Sequence, residues 1–352
     1  METIRTRSFA RAGLLGNPSD GYFGKTLSFT FTQFGVELVM SESSRIRFQQ
    51  GEVDDATFAS LDEMSRNLRL YGYYGGIRLL KATAKRFFDY CQEKGLALPK
   101  RNFSVEYKIN IPRLVGLSGS SAICSAMLKA LMRFYEVEIP LEMQPTICLE
   151  AERYELGINC GFQDRVIQIY NGLVFMDFEK SFVESHNYGR YERLNDETAK
   201  RLNLYIAYDA NRAEESGKAH KKVKRLFEEK NADVLAAMSE FADIAQRGRD
   251  AIAAGRTEEL SKLINANFDL RDRIFNVAEE NRRMVMTARK CGASAKFAGS
   301  GGAIVGTCED AAQFERLKAD LKAIGSETLV PTVATSADET AEIAGFGNWR
   351  SS

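Results

Sequence analysis

The run Pro112-Arg-Leu-Val-Gly-Leu-Ser-Gly-Ser-Ser-Ala-Ile-Cys-Ser125 leads straight into an apolar helical pattern of Ile123, Cys124, Ala126, Met127, Leu128, Ala130 and Leu131. Glycine and serine let the backbone turn tightly and leave several N–H groups exposed at a helix start, where the helix dipole favours negative charge. That combination can cradle a phosphate. It lacks the Gly-Lys-Ser/Thr ending of a Walker A loop, and a helix start of this composition is also an ordinary N-cap. Two other Gly-rich segments accompany it, Arg11-Ala-Gly-Leu-Leu-Gly-Asn-Pro-Ser-Asp-Gly-Tyr-Phe-Gly-Lys25 and Gly292-Ala-Ser-Ala-Lys-Phe-Ala-Gly-Ser-Gly-Gly-Ala-Ile-Val-Gly306. A carboxylate stands in Gly161-Phe-Gln-Asp-Arg165 and two more in Glu150-Ala-Glu-Arg153. A carboxylate within reach of a hydroxyl can take its proton during attack on phosphorus, and hard oxygen donors suit a magnesium ion that keeps its waters and phosphates. Isolated, each of these acids would read as a turn or surface residue.

The order of an N-terminal Arg-…-Gly-Asn-Pro-Ser-Asp motif, a central Gly-Leu-Ser-Gly-Ser-Ser-Ala and a late Gly-Ser-Gly-Gly resembles the GHMP kinases, which include galactokinases, homoserine kinases and mevalonate kinases. Ala12–Asp20, Gly72–Leu80, Arg101–Val105, Gly116–Ala122, Gln163–Val166, Ser216–His220 and Asn267–Arg271 look like the glucuronokinase branch of that family. The resemblance implies an α+β chain of the GHMP kinase fold. Its N-terminal domain would be like the second domain of ribosomal protein S5, its C-terminal domain ferredoxin-like, with the site in the cleft between them. It also implies ATP-dependent phosphorylation of the anomeric hydroxyl of D-glucuronate, with Mg²⁺ as the metal. Two other readings share the motifs: a kinase of another sugar such as a hexose or galacturonate, and a sugar sensor that has lost catalysis.

Residue by residue, the resemblance places the catalytic carboxylate at Asp164 and a cation beside it at Arg11. Gly116, Leu117, Ser118, Gly119, Ser120, Ser121 and Ala122 form the ATP phosphate loop, and Asp20, Gly299, Ser300 and Gly301 border the sugar. Ser121 and Glu152 are implied as metal ligands, with Glu150 as the alternative acid. Asn17-Pro-Ser stands where the family's first motif carries Glu-His-Thr, so hydroxyl recognition carries over at Asp20 and not at Asn17. A uronate needs a partner for its carboxylate, and the Arg fork suits it best. Arg165, Arg113, Arg271 and Lys218 are the candidates. Lys296 would lie near the phosphates or face solvent, and Tyr71, Tyr73 and Tyr74 would border the adenine or pack in the core.

What must position these groups follows from composition and periodicity. The 352 residues exceed what one core usually supports. We expect domains over 1–200 and 201–335 and a loose tail over 336–352. Lys+Arg and Asp+Glu both total 48, which argues against nucleic acid and leaves anion binding to local groups in a pocket. Neither a signal core nor a membrane span is apparent. The six cysteines show no Cys-x-x-Cys pair and read as buried thiols of a cytoplasmic protein whose partners are the small sugar acid and ATP. Strands are expected at 26–40, 103–111, 202–208, 293–305 and 327–334, with two short ones over 162–178 around Tyr170-Asn-Gly172. Helices are expected at 76–94, 120–136, 143–155 and 309–324 and almost continuously over 216–290.

Overall fold

β-Branched and aromatic residues fold the N-terminal stretch into two long strands, β1 (Thr3–Leu15) and β2 (Lys25–Ser43). The computed structural model describes residues 3–49, 75–209, 217–275, 277 and 279–339. In it, β1 runs antiparallel along one edge of β2, and the other edge of β2 is shared. Beyond β3 (Arg47–Phe48), β4 (Asn102–Ile109) pairs with the far half of β2, from Val36 to Ser43. β5 (Leu173–Asp177) pairs with the near part, from Lys25 to Phe29, and carries β6 (Arg190–Arg193) at its outer edge. The register of β1 on β2 slips between Phe9 and Ala10, just before Arg11 pairs with Thr30. Such bulges re-aim a strand.

Helices cover this sheet. α1 (Gly76–Glu93) and α2 (Gly119–Tyr135) form where apolar spacing of 3–4 residues was legible. The expected helix at 143–155 divides into α3 (Gln144–Glu150) and a π-helical turn over Ala151–Glu155 that carries Glu152. The expectation of two strands over 162–178 is corrected. Its first half is a helix, α4 (Gln163–Tyr170), and only Leu173–Asp177 is a strand. The β-branched Val166, Ile167 and Ile169 suggested a strand, but all three are buried on the helix face turned to the sheet. Asp164 sits in the first turn, where a helix favours an acid. Tyr170-Asn-Gly172 does turn the chain, with Asn171 at φ 53°. Two short helices follow, α5 (Lys180–His186) and α6 (Asp196–Lys200).

The second sheet contains β7 (Leu204–Tyr208), β8 (Lys296–Phe297), β9 (Ala303–Thr307) and β10 (Glu327–Leu329), all antiparallel in the order β10-β7-β9-β8. Its chain order is strand, helices, strand, strand, helix, strand, the ferredoxin-like arrangement. The charged stretch after β7 breaks into α7 (Gly217–Glu228), α8 (Ala232–Ala253), α9 (Thr257–Phe275) and α10 (Glu279–Lys290); α11 (Ala311–Ala323) lies between β9 and β10. Asn231 caps α8 by accepting from the Val234 amide. The expected strand at 293–305 is interrupted by the loop 298–302, which holds the glycines.

The two sheets are not independent. Phe241, Ile244 and Ala245 of α8 belong to the same buried cluster as Leu15 and Leu27 of the first sheet. Past β10, Thr332 and Ala334 return to β2, where Thr32 N donates to Thr332 O and Ala334 N to Thr30 O. A separate cluster of Tyr205, Phe268, Val285, Ile304, Leu317 and Leu321 fills the second sheet's helix side. Cys91, Cys124, Cys148 and Cys308 are buried, but Cys160 and Cys291 are half-exposed, so two of the six thiols depart from expectation. Among the described residues no helix is long and apolar enough to cross a membrane.

Candidate active site

Arg11 is fixed by the strand that carries it. Its Nε donates to Asp164 Oδ1 at 2.7 Å, and its Nη1 donates to Gly116 O at 2.6 Å and Ala298 O at 3.0 Å. One guanidinium therefore joins the three segments singled out by their composition, from β1, the loop before α2 and the loop after β8. Asp164 Oδ2 accepts from Ser118 Oγ at 2.7 Å, and Arg165 Nη1 lies 3.8 Å from the same oxygen. Burial alone would push the Asp164 carboxyl up. The Arg11 and Arg165 guanidiniums and the hydrogen bonds from Arg11 and Ser118 outweigh it and hold the group well below the usual carboxylate range. These contacts favour the ionised form.

The loop before α2 is strained. Ser118, which precedes the first helical residue, has φ 65°, and Gly116 has φ 75°. A non-glycine residue in the left-handed region persists only where its surroundings impose it. Here Gln168 Nε2 of α4 donates to Ser118 O at 2.9 Å, and the Ser118 hydroxyl is turned to Asp164 rather than to the helix N–H groups. No side chain caps α2, so its first amides remain available to an anion. Gly116 and Gly299 meet backbone to backbone. A Cβ at Gly299 would lie 2.2 Å from Gly116 O, and one at Gly116 would lie 2.8 Å from Gly301 O. Glycine is required at that contact for space.

A cavity of about 680 Å³ opens over this arrangement. Arg11, Gly116, Leu117, Ser118, Gly119, Ser120, Asp164, Arg165 and Ser300 line it, together with Tyr107, Ile109–Leu114 (Arg113 among them, exposed) and Ile158–Gly161. Ser121 and Ala122 do not. They are buried behind the loop, and Ser121 Oγ reaches only Ser118 O, at 3.4 Å. Gly299 and Gly301 form the turn behind Ser300.

Asp20 is not in the cavity lining; from the turn after β1 it reaches Gln163 and Gly161, next to Asp164. Its Oδ2 accepts from the Gln163 amide at 3.2 Å, and a Cβ on Gly161 would collide with it at 1.9 Å. Burial, and then the Asp164 charge, push its carboxyl up to about 6, against the Gln163 amide and the Arg11 and Arg165 guanidiniums. Two neighbouring carboxylates are thus held in opposite states of acidity, a pattern that marks functional sites.

Glu152 is wholly buried, and Arg165 grips its Oε2 through Nε at 2.6 Å and through a second short contact from Nη2. The other oxygen, Oε1, is buried with no hydrogen-bond partner among the described residues. An orphaned carboxylate oxygen is what a hard cation would take, and the Ser121 hydroxyl is a second donor of the right kind. Both residues are fully buried and neither lines the cavity, so the fit to magnesium rests on the chemistry of these two oxygens alone. Glu150, the alternative, is committed to Arg86 at 2.6 Å. Among the described residues no group of three or more His, Cys, Asp or Glu side chains is arranged so that it could hold a metal ion.

The candidate partners of a uronate carboxylate are also distributed. Arg165 holds Glu152. Arg271 is buried, and it donates to Gly299 O and Ser300 O, each at 3.0 Å, with its guanidinium 5.3 Å from the ring centres of Phe275 and Phe297. Tyr71, Tyr73 and Tyr74 lie outside the described residues, as does the Lys218 side chain. Lys296 does not face solvent. It is 1% exposed and reaches neither solvent nor the cavity but the turn after β1. Gln163, Gln168 and the Lys296–Asn17 contact were missed from sequence. Neutral amides carry no signal of their role until the fold sets them beside a charged group.

The N- and C-terminal family models of the GHMP kinases match residues 78–172 and 249–327. Over 344 residues the chain is 42% identical to probable glucuronokinase 2 of Arabidopsis thaliana, covering 94% of this chain and 93% of the relative. It is 41% identical to glucuronokinase 1 of the same plant, over 92% and 90% of the two chains. The structure of Lactococcus lactis galactokinase complexed with galactose superposes with a TM-score of 0.74 over 94% of both chains, at 16% identity, a likeness of fold. With both family models matched and two relatives similar over nearly their whole length, the chain belongs to the GHMP kinase family.

Proposed function

We propose that this GHMP kinase transfers the γ-phosphoryl group of ATP to the anomeric hydroxyl of D-glucuronate, giving glucuronate 1-phosphate and ADP. The observation that carries the chemistry is the Asp164 carboxylate. It is held ionised between Arg11 and Ser118 at the mouth of the loop 116–120. The choice of glucuronate rests on the similarity to the two plant glucuronokinases.

The loop's glycines and the uncapped start of α2 receive the ATP phosphates. Asp164 accepts the proton of the sugar's C1 hydroxyl as that oxygen bonds to the γ-phosphorus, and the bond from phosphorus to the β-bridging oxygen breaks to release ADP. Arg11 keeps Asp164 ionised and places positive charge beside the transferring group. Asp20 and the turn 299–301 hold the sugar ring, with Asp20 accepting from a hydroxyl. Magnesium, held by Ser121 and Glu152, would supply charge neutralisation on the β- and γ-phosphates.

The test is an ATP-coupled assay with glucuronate, galacturonate, galactose and glucose, followed by anomer analysis of the product. Glucuronate is expected to give the highest kcat/KM, with phosphate on C1. Background turnover with glucuronate and good turnover with a neutral hexose would overturn the substrate and leave the kinase intact.

A further inference from the structure

The Lys296 ammonium sits at the junction of the first and third Gly-rich segments. Its Nζ donates to Gly13 O at 2.6 Å, Asn17 Oδ1 at 2.6 Å and Phe297 O at 2.7 Å. All three are acceptors, and three acceptors require three N–H bonds, which an ammonium has and a neutral amine lacks. None of the three carries charge. The charged groups that bear on it are Arg11 of β1 and Arg271 of α9, both cations. The site's carboxylates are engaged elsewhere, Asp164 by Arg11 and Ser118 and Asp20 by the Gln163 amide. A buried ammonium among cations is a costly way to fill a core. A methionine would fill similar volume without that cost, which points to a role in what the ammonium holds.

What it holds is the approach of two loops. Gly13 N donates to Ala298 O at 2.7 Å, one residue from the ammonium's own contact with Phe297. Asn17 is 4% exposed, and its backbone oxygen accepts from Asn267 Nδ2 of α9 at 3.4 Å; Gly16 N donates to Asn267 Oδ1 at 2.6 Å. The turn from Gly16 to Asp20 is thereby fastened to the second sheet through Lys296 and Asn267. We propose that Lys296 is a positioning residue, whose ammonium pins Asn17 and so holds Asp20 at its place beside Gln163 and Gly161, the geometry that binds the sugar. This rests on the reading above that Asp20 borders the sugar. It also explains Asn17, which stands where the family's first motif carries a glutamate: its side-chain oxygen serves the fold by accepting from Lys296.

Burial and the two guanidiniums move the ammonium's titration well below its ordinary range. Loss of its proton leaves one acceptor unserved and loosens the turn, so sugar binding weakens as pH rises through that lowered value.

The experiment measures KM for glucuronate, KM for ATP and kcat from pH 7 to 10 in the parent, Lys296→Met and Asn17→Asp. Lys296→Met is expected to raise the sugar KM at least about tenfold while the ATP KM moves less than about twofold, as misplacement of one substrate's contacts predicts. In the parent the sugar KM should rise with pH. In Asn17→Asp, whose carboxylate would keep the ammonium charged, that rise should shift to higher pH. Should Lys296→Met fail to fold, the Asn17→Asp profile decides. An unchanged sugar KM in folded Lys296→Met, or identical alkaline profiles in the parent and Asn17→Asp, overturns the proposal. A parent that turns over no glucuronate would instead refute the functional reading beneath it.

Discussion

A guanidinium that answers a carboxylate, a serine hydroxyl and a strained backbone all converge on Asp164, and each is a single-residue effect that a single change can remove. Asp164→Asn keeps the shape and removes the negative charge, so the fold and ATP binding should persist while kcat falls at least about a hundredfold. A folded variant within a few-fold of the parent would make this acid a turn residue. Asp20 carries the opposite prediction. Its carboxyl titrates near 6, so lowering the pH through that value protonates it and weakens its acceptance from a sugar hydroxyl. The sugar KM should therefore rise below about pH 6, and Asp20→Asn should lack that acid limb. The sign for stability is reversed. A raised folded-state value means the group favours the folded state at low pH and loses that contribution as pH rises through 6. Of these residues, Arg11, Asp20, Asp164 and Glu152 were legible because each belongs to a motif with a fixed neighbour pattern. Ser118 was legible only as a loop residue. That its hydroxyl turns to Asp164 depends on the left-handed backbone that Gln168 holds in place from another helix.

Elements were read correctly where the period of burial matched the local composition. α1 and β4 bury one face, and their apolar residues recur at the matching interval, whereas α2 is apolar and buried almost all round. α4 was misread because its apolar residues are β-branched, and tertiary burial outweighed their preference for strands. The loop between β8 and β9 fell inside the strand expected over 293–305, although Gly299-Ser-Gly-Gly302 is itself a turn signal. Its purpose appears only in the contact of Gly299 with Gly116. The element-scale prediction follows from that contact. Gly299→Ala would place a Cβ 2.2 Å from Gly116 O and 2.8 Å from Arg11 Nη1, neither of which can retreat without moving the loop or its cation. Separation of the two loops should lower kcat at least about a hundredfold, the scale of a displacement near 1 Å. Circular dichroism would show the fold retained. Parent-like kcat in a folded Gly299→Ala would mean that the two loops need not touch.

At the scale of the molecule, the site exists only where both sheets meet. Arg11 of β1 reaches Ala298 of the second sheet, Lys296 reaches back to Gly13, and α8 shares one buried cluster with the first sheet. The family resemblance conveyed this architecture, but no local signal in the chain states that residues 332–334 return to β2 or that α8 joins the two cores. Such contacts are set by distance in space and leave no period in the sequence. With the sugar held as proposed by Asp20 of the first half and the turn 299–301 of the second, and ATP bound beside them, binding should stabilise the whole chain. A ligand that binds only the folded state adds about 2.7 kcal/mol at about 100 times its Kd. Thermal unfolding should therefore shift upward as one transition with ATP and again with glucuronate. Asp20→Asn should lose most of the second shift and keep the first, because its carboxylate faces the Gln163 turn and not the loop 116–120. Two resolved transitions of which only one responds to glucuronate would show that the sugar is held by one half alone, and the shared site described here would have to be redrawn.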